Sequence, residues 1–201
     1  MRRAFTHLPP GWRLGVFLNS AGGDVDAAIR LGRLFREARA QVWVSENCVS
    51  ACVLAFAGGV VRTNFNGKVG IHRPALAVVP KQLDMNFIRR STDEVILRLR
   101  AYAKDMNVND RLIDDMLVIP PENVRWLSQE DLNKYGLGHM DPVYAEMQVL
   151  EGAKKYGITP GVYRARDQIA RYKCWTMYDE GLGWFIPKRD DCADKVLSGT
   201  P

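Results

Sequence analysis

Three short segments contain residue types able to do chemistry together, and they occur in a telling order. The first is Asn19-Ser20-Ala21-Gly22-Gly23-Asp24. Two glycines after an apolar run let the backbone approach a ligand closely and turn its N–H groups toward open space. At the start of a helix, such N–H groups also lie in a field that favours negative charge. The second is Cys48-Val49-Ser50-Ala51-Cys52. A serine nucleophile on a strand-to-helix elbow needs small residues two positions to either side, because the turn is tight. Cysteine fills both positions, and the Ala51 N–H would be free to donate. The third is Gly70-Ile71-His72-Arg73-Pro74, which places His72 at the end of a buried-type strand.

Each segment alone has a plainer reading. Gly22-Gly23 also suits an ordinary strand-to-helix connection, Ser50 suits a helix N-cap, and His72 suits a structural role. In this order they carry more than any one of them does alone, and none of them calls for a cofactor.

The elements that must position these residues follow from periodicity. Arg13 to Leu18 reads as a strand running into the Gly-Gly turn. Asp24 opens a helix whose Val25, Ala28, Ile29, Gly32 and Phe35 recur at helical spacing. Gln41 to Val44 is a second strand, and Ala51 to Ala57 is an apolar helix closed by Gly58-Gly59. Val60-Val61 and Val69 to His72 read as further strands. A long amphipathic helix runs from about Met85 to Met106, with Ile88, Val95, Ile96, Leu99 and Tyr102 as its apolar stripe. A short helix covers Asp110 to Leu117, and another spans Gln129 to Tyr135, with Ser128 as N-cap and Gly136 as stop. This alternation predicts an α/β domain with a mainly parallel sheet. After about Leu150 the character changes. Thr159-Pro160 starts a helix ending near Tyr172, the aromatic stretch beyond lacks a period, and Leu197 to Pro201 are expected to fray. The expected division is therefore a domain over 1–150 and a C-terminal appendage over 151–201.

Composition narrows the classes. The chain has 201 residues, 47% apolar and 25% charged, which is ordinary for a globular protein. No apolar run approaches the ~20 residues a membrane helix needs. The +5 charge is spread among carboxylates at helical spacing, as in Arg30, Arg33 and Arg36 with Asp26 and Glu37. Nucleic-acid surfaces gather basic residues with aromatic platforms, so no nucleic-acid partner is expected. The four cysteines show no zinc spacing, and no metal site is expected. An even count permits disulfides in an oxidising compartment, with Cys174–Cys192 the more natural bridge, and four reduced, buried thiols fit as well.

Asn-Ser-x-Gly-Gly, then Ser50 at an elbow, then Ile-His-x-Pro resembles the ClpP serine peptidases of the ClpP/crotonase superfamily. The run Trp126-Leu127-Ser128-Gln129-Glu130-Asp131-Leu132-Asn133-Lys134-Tyr135-Gly136-Leu137 resembles that family's segment ending in Tyr-Gly-Leu. The resemblance covers Leu14 to about Val143. It is greatest to the ClpP-like proteins with a Cys-x-Ser-x-Cys elbow, many of which are predicted to be exported. It implies a spiral of β-β-α units, Ser50 as nucleophile, His72 as base, the N–H groups of Gly23 and Ala51 as oxyanion hole, a peptide or protein substrate, and a homo-oligomer. The family's orienting acid falls on Val124, which accepts no hydrogen bond. Glu122 or Asn123 would replace it if the loop is shifted, and Asp114 or Asp115 are weaker candidates. Against that family the N-terminal unit reads as truncated, with Ala4 to Leu8 as the end of a helix and a sheet edge left open. A leader missing from this chain would make the protein periplasmic or exported; otherwise it is cytoplasmic. The competing functions are an idle scaffold on the same fold and, against the Ser50–His72 pair, a crotonase-type acyl-CoA enzyme.

Overall fold

The computed structural model describes residues 14–74, 85–174, 178–179, 184–185 and 191–200. They divide into two compact units, one up to Pro142 and one from Val143 onward.

In the first unit the chain runs β1 (Gly15–Ser20), α1 (Val25–Glu37), β2 (Gln41–Val49), α2 (Ala51–Ala57), β3 (Val61–Thr63), β4 (Lys68–Ile71), α3 (Met85–Asp105), α4 (Arg111–Leu117), β5 (Arg125–Trp126) and α5 (Gln129–Tyr135). The strand order is β1-β2-β4-β5, and β3 also pairs with β2. β2 is the organising strand. Its first half pairs with β3 in the register Gln41↔Val61, and its last residues pair with β4 in the register Val49↔Gly70. All pairings of β2 are parallel, and only β5 runs antiparallel, against β4. The fold class is thus α/β with a mainly parallel sheet, as periodicity predicts.

The core forms where apolar faces meet across this sheet. All seven residues of α2 are buried. α1 turns Ile29, Gly32 and Phe35 inward, and α3 contributes Leu99 and Tyr102. Gly32 is required by close approach: a Cβ there would lie 1.8 Å from the Tyr102 hydroxyl and 2.9 Å from Leu54 O. That hydroxyl donates to Leu54 O at 2.7 Å, and burial pushes its pKa upward. Ser128 caps α5 through a reciprocal capping box with Asp131, as its sequence predicts.

A charged cluster lies within this apolar core. The Arg62 guanidinium is fully buried and donates to the carbonyls of Gly59, Met106 and Gly136 and to Asp141 Oδ2 at 3.3 Å. The same carboxylate oxygen meets Arg36 Nη1 at 2.9 Å and accepts from Asn107 Nδ2 at 2.9 Å. Burial and the neighbouring Arg36 pull the Arg62 pKa down to about 10, against the opposing pull of Asp141, so it stays charged at neutral pH. The cluster joins the ends of α1, α3 and α5 to β3.

The second unit contains α6 (Pro142–Tyr156), which begins at the boundary, α7 (Pro160–Cys174), the paired strands β6 (Tyr178–Asp179) and β7 (Trp184–Phe185), and α8 (Asp191–Ser198). Cys174–Cys192 bridges the end of α7 to the start of α8. Leu197, expected to fray, is instead buried in α8, and Arg166 Nη1 donates to its carbonyl at 2.8 Å. The expected helix end at Ala4 to Leu8 lies outside the described residues.

Removing the shared carboxylate would strand two guanidinium groups, one of them without water. Asp141→Ala is expected to destabilise the first unit by about 3–5 kcal/mol in urea unfolding. A loss below about 1 kcal/mol would show that the cluster is not a tie between these elements.

Candidate active site

Ser50 is the single residue between β2 and α2. Its backbone lies at φ 58°, ψ −125°, a conformation a residue with a side chain rarely adopts. By position Ser50 is the N-cap of α2, yet its side chain makes no capping hydrogen bond. The hydroxyl is therefore not consumed by the helix. The flanking backbone is held firmly: Ser50 N–H donates to Gly70 O at 3.0 Å, and Val53 N–H donates to Ser50 O at 3.0 Å.

The Gly22-Gly23 turn, between β1 and α1, packs directly against this elbow. Gly22 has φ 102°, and a Cβ there would fall 2.6 Å from Val49 O, 2.8 Å from Ser50 Cβ and 3.1 Å from Ala51 N. Only glycine permits that approach. Gly23, at φ 139°, has nothing within 4 Å of where a Cβ would stand, so its far side is open. The N–H groups of Gly23 and Ala51 donate to no protein acceptor among the described residues. Asp24 caps α1 by accepting from Ala27 N–H. An apolar groove of about 220 Å³ runs beside the turn, lined by Leu18, Ala28, Leu31, Ala51, Cys52 and Ala55 among others.

His72 follows the last residue of β4. Because Val49 and Gly70 are register partners on parallel strands, Ser50 falls level with Ile71, and the segments that start at Ser50 and His72 both leave the sheet at its carboxyl end. That edge is where open α/β sheets bind ligands. His72 Nδ1 lies 2.9 Å from Arg73 O. A carbonyl only accepts, so Nδ1 is the donor, and in the neutral ring the lone pair lies on Nε2. No hydrogen bond joins Ser50 Oγ to His72 among the described residues. Contacts of this kind often close only when substrate binds.

No carboxylate among the described residues contacts His72. Val124 lies over Gly70, where its Cγ1 would be 2.6 Å from an added Cβ. Glu122 and Asn123 are exposed, and neither side chain bonds to His72. Asp114 is paired with Arg100. Asp115 accepts from the Tyr135 hydroxyl and lies 3.5 Å from Arg125 and 3.6 Å from Lys134. The tyrosine bond holds the Asp115 carboxyl below the usual carboxylate range, while burial and that same bond raise Tyr135 to about 12. Both aspartates are thus engaged elsewhere. The loop itself is near, since Arg73 N–H donates to Ile119 O at 2.9 Å.

Two features of the site go beyond what the motifs announce. One is Arg73 O as the acceptor for His72, which no residue type could announce, because every residue has a carbonyl. The other is a disulfide between Cys48 and Cys52, with Cα atoms 5.2 Å apart, bracketing Ser50. Its signal was present in the four-residue spacing across an elbow. Both of the described disulfides, Cys48–Cys52 and Cys174–Cys192, are closed.

No family model and no curated protein matches the chain. Among solved structures it is similar to ClpP1 from Listeria monocytogenes, at 19% identity and a TM-score of 0.44 over 62% of this chain and 69% of that one. A point mutant of the same ClpP1 gives 17% identity and a TM-score of 0.45 over 62% and 70%.

The two glycines should respond differently to a methyl group. Gly23→Ala adds only backbone strain, about 1–3 kcal/mol, whereas Gly22→Ala adds a collision with the elbow on top of it. Urea unfolding should rank Gly22→Ala as clearly the more damaging. Equal losses would mean that the elbow and the turn do not pack as described.

Proposed function

We propose that the chain is a serine peptidase acting through Ser50 and His72. The observation that carries this reading is the backbone of Ser50, held at positive φ between a strand and a buried helix, with its hydroxyl free of any capping bond. Strained serines of this kind are how hydrolases lift a nucleophile clear of the sheet. The order of motifs shared with the ClpP peptidases supports the same assignment.

In the proposed cycle His72 Nε2 accepts the Ser50 proton as Oγ attacks a peptide carbonyl. The N–H groups of Gly23 and Ala51 stabilise the oxyanion, and His72 returns the proton to the leaving amine. Water, deprotonated by the same nitrogen, then releases the acyl group. The apolar groove beside Ala51 is offered as the site of an apolar side chain of the substrate. Arg73 O fixes the tautomer that a carboxylate would fix, but as a neutral dipole it stabilises the imidazolium less. Turnover slower than that of an acid-completed triad follows.

A homo-oligomer is proposed on the motif resemblance. An oxidising compartment is proposed on the two closed disulfides, which reducing cytoplasms seldom retain. An idle scaffold is the second reading, and Val124 in place of an acid favours it.

A fluorophosphonate probe separates the two. The purified chain is expected to be labelled, Ser50→Ala should abolish labelling, and His72→Ala should slow it at least about a hundredfold. No labelling of the native protein, with a stable oligomer in sedimentation, would support the scaffold instead.

A further inference from the structure

Cys48 and Cys52 stand two residues either side of Ser50, and their bridge spans the one strained residue of the elbow. Cys48 ends the buried face of β2, and Cys52 occupies the first turn of α2. A backbone at φ 58°, ψ −125° persists only where its surroundings over-determine it. The other constraints on Ser50 are hydrogen bonds and the close approach of Gly22, all of which yield individually to small shifts. The bridge is the covalent one. It forbids the end of β2 and the start of α2 from separating, which is the movement that would let Ser50 relax.

We infer that the Cys48–Cys52 disulfide is a positioning element of the serine site, and that its reduction by a dithiol turns the site down. This rests on Ser50 being the nucleophile. Cys48 is wholly buried, whereas Cys52 keeps slight exposure and lines the apolar groove beside Ala51, so attack falls on Cys52. One thiolate of the dithiol bonds to Cys52 Sγ, the Cys48–Cys52 bond breaks, and Cys48 leaves as a thiolate that takes up a proton. The second thiol of the reagent then closes on the first, releasing the Cys52 thiol. Two electrons pass to the protein, and the dithiol is oxidised to its cyclic disulfide. Ser50, no longer held across its two ends, loses the alignment of Oγ with the Gly23 and Ala51 N–H groups. Misplacement on the scale of an ångström is worth up to about a hundredfold in rate.

The test uses the full chain and a fluorophosphonate, with and without dithiothreitol. Alkylation followed by peptide mass spectrometry reports the state of each cysteine pair. Reduction is expected to slow maximal labelling at least about tenfold, without changing the probe concentration for half-maximal rate, and reoxidation should restore it. Cys48→Ala/Cys52→Ala should label slowly in both conditions and ignore the dithiol, which separates this bridge from Cys174–Cys192. Should that variant fail to fold, reduction and reoxidation of the native chain carry the test alone. Deuterium exchange supplies a readout independent of activity: opening the bridge should speed exchange over residues 49–53 while the thermal midpoint shows the molecule still folded. Labelling at an unchanged rate in folded protein whose Cys48 and Cys52 are both alkylated would overturn the inference, and leave Ser50 as nucleophile intact. No labelling of the oxidised protein would instead sink the nucleophile itself, and unchanged exchange would then sink the positioning role as well.

Discussion

The chain passes from β2 to α2 through one residue, and that residue must accept a positive φ for the rest of the unit to form. α2 is short and buried on every side, so its direction is dictated by the core rather than by its own propensity. β2 is pinned along its length by three parallel partners. With both elements fixed, the backbone of Ser50 has no freedom left. The surroundings comply: Gly22 lacks a Cβ where one would strike Val49 and Ser50, Gly70 accepts the Ser50 N–H, and a disulfide crosses the turn. Strain of this size is normally eliminated unless neighbours enforce it. Here several do.

The histidine is positioned by weaker means. Arg73 O sets the tautomer, and the tie from Arg73 N–H to Ile119 O anchors the segment that supplies it. Much of an orienting acid's role is to keep the proton on the correct nitrogen. A backbone carbonyl does that part as well as a carboxylate. It does not supply the negative charge that steadies the imidazolium, and Asp114 and Asp115 are occupied by Arg100, Arg125, Lys134 and Tyr135.

Much of this was legible from the residues. Periodicity identified α1 to α5, with α2 and α5 falling on Ala51–Ala57 and Gln129–Tyr135 as expected. Their signals are local: an apolar run closed by glycines, and a serine cap with a left-handed stop. β5 escaped because two residues, Arg125 and Trp126, become a strand only by pairing with β4. α8 escaped because eight residues carry too short a stripe, and α6 escaped because its buried residues are only Tyr144, Gly152 and Ala153, two of them too small to mark an apolar face. The Gly-Gly turn, the elbow and the terminal histidine could be read as motifs, but their adjacency depends on the register of β2 with β4. The partners of His72, Asp114 and Asp115 depend on which loops come near. No spacing in the sequence encodes that.

The proposed activity requires Ser50 Oγ to be a nucleophile that both forms and releases an acyl group. Intact-mass analysis after rapid mixing with an activated peptide ester tests this most directly, with the adduct then located by peptide mapping. A Ser50 nucleophile should give one acyl group per chain, on Ser50, accumulating early and disappearing as free acid forms. A protein that gains no mass, or gains it on a lysine or tyrosine while Ser50 stays unmodified, would contradict it.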